Sequence, residues 1–355
     1  MMIGQWLSQI GLVIRLEMRK TFLSRRGSWV YPLALAPVLI FLAHSLSEIS
    51  NRKERQALNA AHPVSTAALR SISEGMSFED VTGRVGEPFA RTEFNRPNFS
   101  FAVYQYTDGD NIFAFQFRNN QLFAITERDR DTIPKDSLIF AGVFQFFYLR
   151  LAIFFSCVGV FTNLFRGEML DKSLHFYLLT PIRREILAIG KYLAGLIATV
   201  VIFGASTFLQ LAALSLHFEG NEISAFLASG GWGQIASYLG VTVAACLGYG
   251  SIFLAAGLLF KNPIFPAATV LVWEGMSMFL PPALKKVSVI FYLQSLSPVV
   301  APPDVNMPAL EKLLVTAAEP VRPVWAVLGL LTVTILVLVV TARKARKLEI
   351  NYSTD

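Results

Sequence analysis

The chain has 355 residues, 54% of them hydrophobic and 16% charged, with a mean hydropathy of +0.49. Soluble proteins carry about 25% charged residues, so this composition excludes a disordered chain and a purely soluble enzyme. The net charge of +6 need not signal nucleic acid, because Lys and Arg also gather on the cytoplasmic side of membrane proteins.

At the N-terminus Ile3, Trp6, Leu7, Ile10, Val13 and Ile14 recur at helical spacing, and Arg15, Arg19 and Lys20 follow. The pattern predicts an amphipathic helix lying in a membrane interface; a helix packed on cytoplasmic protein would read the same way. Residues 27–47 carry no Asp, Glu, Lys or Arg and are long enough to span a bilayer. The region before them is long for a signal peptide and no convincing cleavage site follows, so the span is expected to be retained.

Residues 48–136 change character. Residues 51–61 continue the span as a polar helix, and Ser77-Phe78-Glu79-Asp80 resembles a capping box whose helix ends at Gly86 and Pro88. Phe99, Phe101 and Val103 alternate, then Tyr104 and Tyr106 shift face; Phe113, Phe115 and Phe117 alternate beyond an Asp108-Gly109 turn. Asn119-Asn120 marks a further turn before 122–126. A three-stranded antiparallel meander is predicted, with one face packed on Phe78, Val81 and Val85.

Five further spans follow: 137–165 with Arg150 as its only charge, 192–218, 234–260 set off by Gly230, Gly231 and Gly233, 262–284 with Glu274, and 323–342. Residues 287–303 are apolar but short and broken by Pro298, Pro302 and Pro303, which predicts a re-entrant or interfacial hairpin. Gly240, Ala244 and Gly248 form a small-residue seam for close helix packing. The expected fold is an all-α polytopic membrane protein of six transmembrane helices plus the interfacial helix. A small α+β domain is inserted between the first two spans. The domains are thus 1–47, 48–136 and 137–355, the last containing the loop 166–191.

Arg15, Arg19, Lys20, Arg25, Arg26, Arg166, Lys172, Arg183, Arg184, Lys191, Lys261, Arg343, Lys344, Arg346 and Lys347 all fall on one side of this topology. The positive-inside rule makes that side cytoplasmic, with both termini inside and 48–136 outside; long translocated domains escape the rule. A multi-pass protein of the inner or plasma membrane is expected. Arg150 and Glu274 sit within spans, where an ionisable residue is costly, so they are expected to pair or to serve function; snorkelling of Arg150 is the alternative.

There is no phosphate-binding Gly-x-x-x-x-Gly-Lys loop, no His-Glu-x-x-His and no Gly-x-Ser-x-Gly. The four histidines are scattered, and Cys157 and Cys246 offer no metal spacing. No catalytic residue, metal site or cofactor is predicted in the chain. Such a protein acts passively, follows an ion gradient or borrows an ATPase.

The loop 166–191 bears on that choice. Leu170, Leu174, Tyr177 and Leu178 would share one face of a short helix over 170–180, which Pro181 stops before Arg183-Arg184-Glu185 opens the next element. Such a helix could seat in a partner's groove or merely connect two spans. Glu168, Ser173-Leu174, Tyr177-Leu178-Leu179-Thr180-Pro181, Arg183-Arg184-Glu185-Ile186 and Gly190-Lys191-Tyr192-Leu193-Ala194 resemble the coupling-helix segment of ABC type-2 transporter permeases. The chain departs from that pattern at Asp171-Lys172-Ser173, where the family often has Arg-Gly-Thr.

The resemblance implies the permease subunit of an ATP-driven exporter. ATP and Mg would be bound on a separate ATP-binding subunit, and a second permease half would complete the transporter. It assigns coupling to Glu168, Leu170, Leu174, Tyr177, Leu178, Pro181, Arg183 and Arg184. Residues 72–125, through Gly75-Met76-Ser77, Val81, Val85-Gly86 and Pro88 and the tyrosine-rich hairpin after them, resemble the small lipoproteins of the BamE/SmpA type. That resemblance implies a protein partner outside; an unrelated α+β insert is the alternative. The competing function is a membrane scaffold that presents this domain, and a gradient-driven carrier is a third.

Overall fold

The computed structural model describes residues 2–23, 27–96, 99–173, 177, 179, 183–299 and 321–346. The described helices are α1 (Met2–Leu23), α2 (Val30–Ala61), α3 (Thr66–Arg70), α4 (Phe78–Val85), α5 (Ile133–Leu170), α6 (Arg184–Ser215), α7 (Gly220–Phe226), α8 (Trp232–Leu259), α9 (Ile264–Gly275), α10 (Val289–Leu296) and α11 (Pro323–Arg346). Short helical turns at Ser277–Phe279 and Pro282–Lys285 lie between α9 and α10. The strands are β1 (Ala90–Arg96), β2 (Phe99–Thr107), β3 (Ile112–Arg118) and β4 (Gln121–Arg128).

Among the described residues, five helical segments are long and apolar enough to cross a membrane: α2, α5, α6, Gly220–Leu259 and α11. The expected fifth span, 262–284, forms only the 12-residue α9 before the chain turns. At 1.5 Å per residue α9 covers roughly 18 Å, well short of a bilayer core of about 30 Å. Gly230 breaks the fourth segment as its sequence suggests: its φ of 112° is open to glycine and strained for other residues. Residues 289–296 of the expected outer hairpin form α10, whose Val289 and Leu293 are fully buried; 300–303 fall outside the described residues.

The chain divides into two compact units. The first comprises Met1–Phe41, Asp136–Ala213 and Gly220–Asp355. In it α5 packs closely on α8. A Cβ at Gly250 would lie 2.4 Å from the Phe161 ring, and one at Gly257 2.7 Å from the Thr162 backbone. The predicted seam differs: nothing lies near Gly240, and Gly248 packs on Val289 and Leu330. The small residues that admit α5 lie one face away.

The second unit comprises Leu42–Lys135 and, from far along the chain, Leu214–Glu219. Ser45 Oγ lies 3.0 Å from His217 Nδ1, and Arg52 donates to Glu219, which joins the two pieces. Its sheet is an antiparallel meander of four strands in the order β1-β2-β3-β4, one more than expected. β1 escaped the sequence reading because Ala-Arg-Thr-Glu-Phe-Asn-Arg alternates poorly. Cross-strand pairing of Tyr104 with Phe115 and of Tyr106 with Phe113 puts the aromatic rows on one face. That face closes on Val81 and Val85 of α4 and on Leu69, with Phe78 packed against it. The capping box is present: Ser77 Oγ accepts from Asp80 N and Asp80 accepts from Ser77 N.

Candidate functional site

All of the site described here lies in the first unit. α1 turns one face inward: Val13 and Glu17, four residues apart, are 1% and 2% exposed. Gly190, near the start of α6, permits the approach. A Cβ there would stand 2.8 Å from Val13 Cβ and Cγ1, so only glycine lets α1 lie this close. The next residue, Lys191, is thereby brought against Glu17.

A closed network of charges results. Lys191 Nζ donates to Glu17 Oε1 at 2.6 Å and lies 2.8 Å from Glu168 Oε2 near the end of α5. The second contact is off the angle of a hydrogen bond and is ionic. Lys20 Nζ, one turn after Glu17, donates to Glu168 Oε1 at 3.1 Å and to the Tyr177 hydroxyl at 2.9 Å. Tyr177 in turn donates to Glu17 Oε1 at 2.9 Å. Lys191 also lies over the rings of Phe165 and Tyr177, at 5.6 and 4.8 Å.

Two carboxylates and two ammonium groups balance, which is how charges persist away from water. Burial opposes the Lys20 ammonium, but Tyr177 and Glu168 outweigh it and hold its pKa above the usual lysine range. Burial pushes the Tyr177 hydroxyl up to about 12, so it stays protonated and remains a donor. A cavity of about 370 Å³ adjoins the network, with Glu17, Lys20, Asn163, Glu168 and Ser173 in its wall.

The predicted helix over 170–180 does not begin as expected. α5 runs through to Leu170, and the chain then turns: Lys172 has a φ of +53°, and Ser173 N donates to Glu168 O at 2.9 Å. This six-to-one bond around a left-handed residue is the Schellman way of ending a helix. Leu170 therefore belongs to the preceding helix, where it is 61% exposed. Leu174, Leu178 and Pro181 lie outside the described residues. Tyr177 turns to the charge network, Arg183 stacks on Trp6 at 5.2 Å, and Arg184 donates to the Arg346 carbonyl at 3.3 Å. Glu168, expected at a docking surface, is buried among the lysines.

Among the described residues Arg150 and Glu274 make no direct ion pair, although pairing is one of the roles their sequence positions allow. Glu274 accepts from Ser288 Oγ at 2.7 Å, Val289 N at 2.9 Å and Ile290 N at 2.8 Å, so it caps the N-terminus of α10. Arg150 Nε and Nη2 are buried without a hydrogen-bond partner, in a π-helical stretch, Phe144–Ile153, within α5.

Sequence reasoning missed Glu17. The signal was there: it is the only acidic residue in α1, and it follows Val13 by four residues along the apolar stripe. Comparison with protein-family models, curated proteins and solved structures finds no match.

Proposed function

We propose that this chain is the permease subunit of an ATP-driven exporter, coupled through residues 166–191 to a separate ATP-binding subunit. The observation that carries the reading is the network of Glu17, Lys191, Glu168, Lys20 and Tyr177. It ties the connecting segment at once to the end of one long apolar helix, the start of the next, and α1. A push on that segment would reach all three. Among the described residues of the segment, Leu170 and Leu179, 61% and 80% exposed, offer apolar side chains to a partner. Leu7, Leu12 and Leu16 on the open side of α1 suit a helix lying in the lipid interface. In this reading α9 and the helical turns after it, Ser277–Phe279 and Pro282–Lys285, together make a sixth crossing that keeps both termini cytoplasmic, a second permease half completes the path, and the insert faces outside as a protein-binding module of BamE/SmpA-like form.

Burying Leu170 and Leu179 in a partner would contribute roughly 1.5–3 kcal/mol each. Changing both to Asp should release a copurifying ATPase or uncouple its hydrolysis from transport, with membrane insertion unchanged. Lys172→Asp is the control, because Asp tolerates the left-handed conformation. An ATPase that binds and couples equally to the double variant would sink the coupling role. The scaffold reading rests on the insert's own closed core, and would then be preferred.

A further inference from the structure

In the first unit, α8, α9 and α11 enclose an open groove of about 410 Å³ with almost wholly apolar walls. Ala256 lines it from α8, Phe260 from just past the end of α8, Val270 from α9, and Leu336, Val337 and Val340 from α11. It follows α8 from Ile252 to Phe260, roughly 12 Å at 1.5 Å per residue. One end is marked by charge. Lys261 follows Phe260 directly, while Arg343 and Lys344 follow Val340 by three and four residues, which continues the groove-lining stripe by one helical turn. All three are exposed, and among the described residues none makes an ion pair or a side-chain hydrogen bond.

We propose that this groove is a binding site for one anionic phospholipid. An acyl chain lies between α8, α9 and α11, and the headgroup phosphate is held by Lys261, Arg343 and Lys344. The apolar wall excludes a polar solute, and three unpaired cations at one mouth select a phosphate or carboxylate. A second copy of the chain fits poorly, because a two-fold contact at this mouth would set the same cations against each other. The site needs a bilayer around these helices but not ATP coupling, so it can fail or hold independently of the exporter reading.

The test is native mass spectrometry of the full chain in mild detergent, with phosphatidylglycerol and phosphatidylcholine of identical acyl chains added in equal amounts. Phosphatidylglycerol should be retained in preference. The triple variant K261Q/R343Q/K344Q should lose at least about fivefold of that retention, the worth of one surface cation near a membrane. V340W, which fills the groove from a half-exposed position, should lower retention of both lipids. Equal retention of the two lipids by the parent, or undiminished phosphatidylglycerol on the triple variant, overturns the site. Loss in the triple variant with full retention in V340W overturns the groove and leaves only a basic surface.

Discussion

Glu17 Oε1 and Lys191 Nζ, 174 residues apart in sequence, meet at 2.6 Å with both side chains sealed from solvent. Each charge is tolerable only because of the other and of Glu168 beside them. Lys191→Met would leave two carboxylates with Lys20 alone, a loss of about 3–5 kcal/mol. Glu17→Gln should cost much less, since an amide oxygen still accepts from Tyr177 and Lys191 keeps Glu168. Thermal unfolding in detergent separates the two; equal losses would count against the network.

The closeness of α1 to α6 rests on Gly190. Gly190→Ala should destabilise by about 1–3 kcal/mol through overpacking against Val13. Adding Val13→Ala removes Cγ1, one of the two clashing atoms, and should recover part of the loss. A double-mutant cycle on melting curves measures it, and strict additivity would mean the contact is absent.

Lys172 occupies the left-handed region at the end of α5, with φ +53°. Left-handed backbone costs a residue with a Cβ about 1–2 kcal/mol, and glycine little. Lys172→Gly should therefore raise stability by roughly 1 kcal/mol, and Lys172→Val should lower it. A destabilised glycine variant would show that the turn is not formed.

Glu274 and Arg150 should behave very differently. Glu274→Ala strands the Ser288 hydroxyl and the Val289 and Ile290 amides, each worth about 1–3 kcal/mol when buried unpaired. Arg150→Met removes a guanidinium whose Nε and Nη2 have no partner, and should be near neutral or stabilising. Comparable losses from the two, read from thermal unfolding, would restore the direct ion pair.

Asp108 sets the β2–β3 turn, accepting from Thr66 Oγ1 at 2.8 Å and from the amides of Asp110 and Asn111. Burial alone would raise its pKa, but these donors outweigh burial and hold the carboxyl below its usual value. Its stabilisation is thus present above about pH 4 and is lost as pH falls through the depressed folded value. Protection of the Asp110 and Asn111 amides, taken relative to their intrinsic exchange rate at each pH, should fall on acidification in the parent. The Asp108→Asn variant should exchange faster at neutral pH and show a flatter pH response.

Much of the local structure was legible from short-range signals. Apolar runs longer than a bilayer core announced the long helices, Ser77 with Asp80 announced α4, and Tyr104, Tyr106, Phe113, Phe115 and Phe117 announced a one-sided sheet. These are effects of neighbours within a few residues: hydrophobic period, capping geometry and turn chemistry. β1 was missed because its pairing with β2, not its own alternation, makes it a strand.

The candidate site was not legible in this way. Glu168 and Tyr177 stood in a recognisable segment, yet their partners Glu17 and Lys20 are some 150 residues earlier, with nothing local to link them. Sequence by itself determined a chain with several membrane-length helices and a small unit of mixed helix and antiparallel sheet. Only the tertiary structure decided which charges meet, that Glu274 caps a helix instead of pairing with Arg150, and that residues 214–219 join the insert's unit. The reason is physical: a buried charge must find its partner wherever packing brings one, and here Gly190 against Val13 sets that packing.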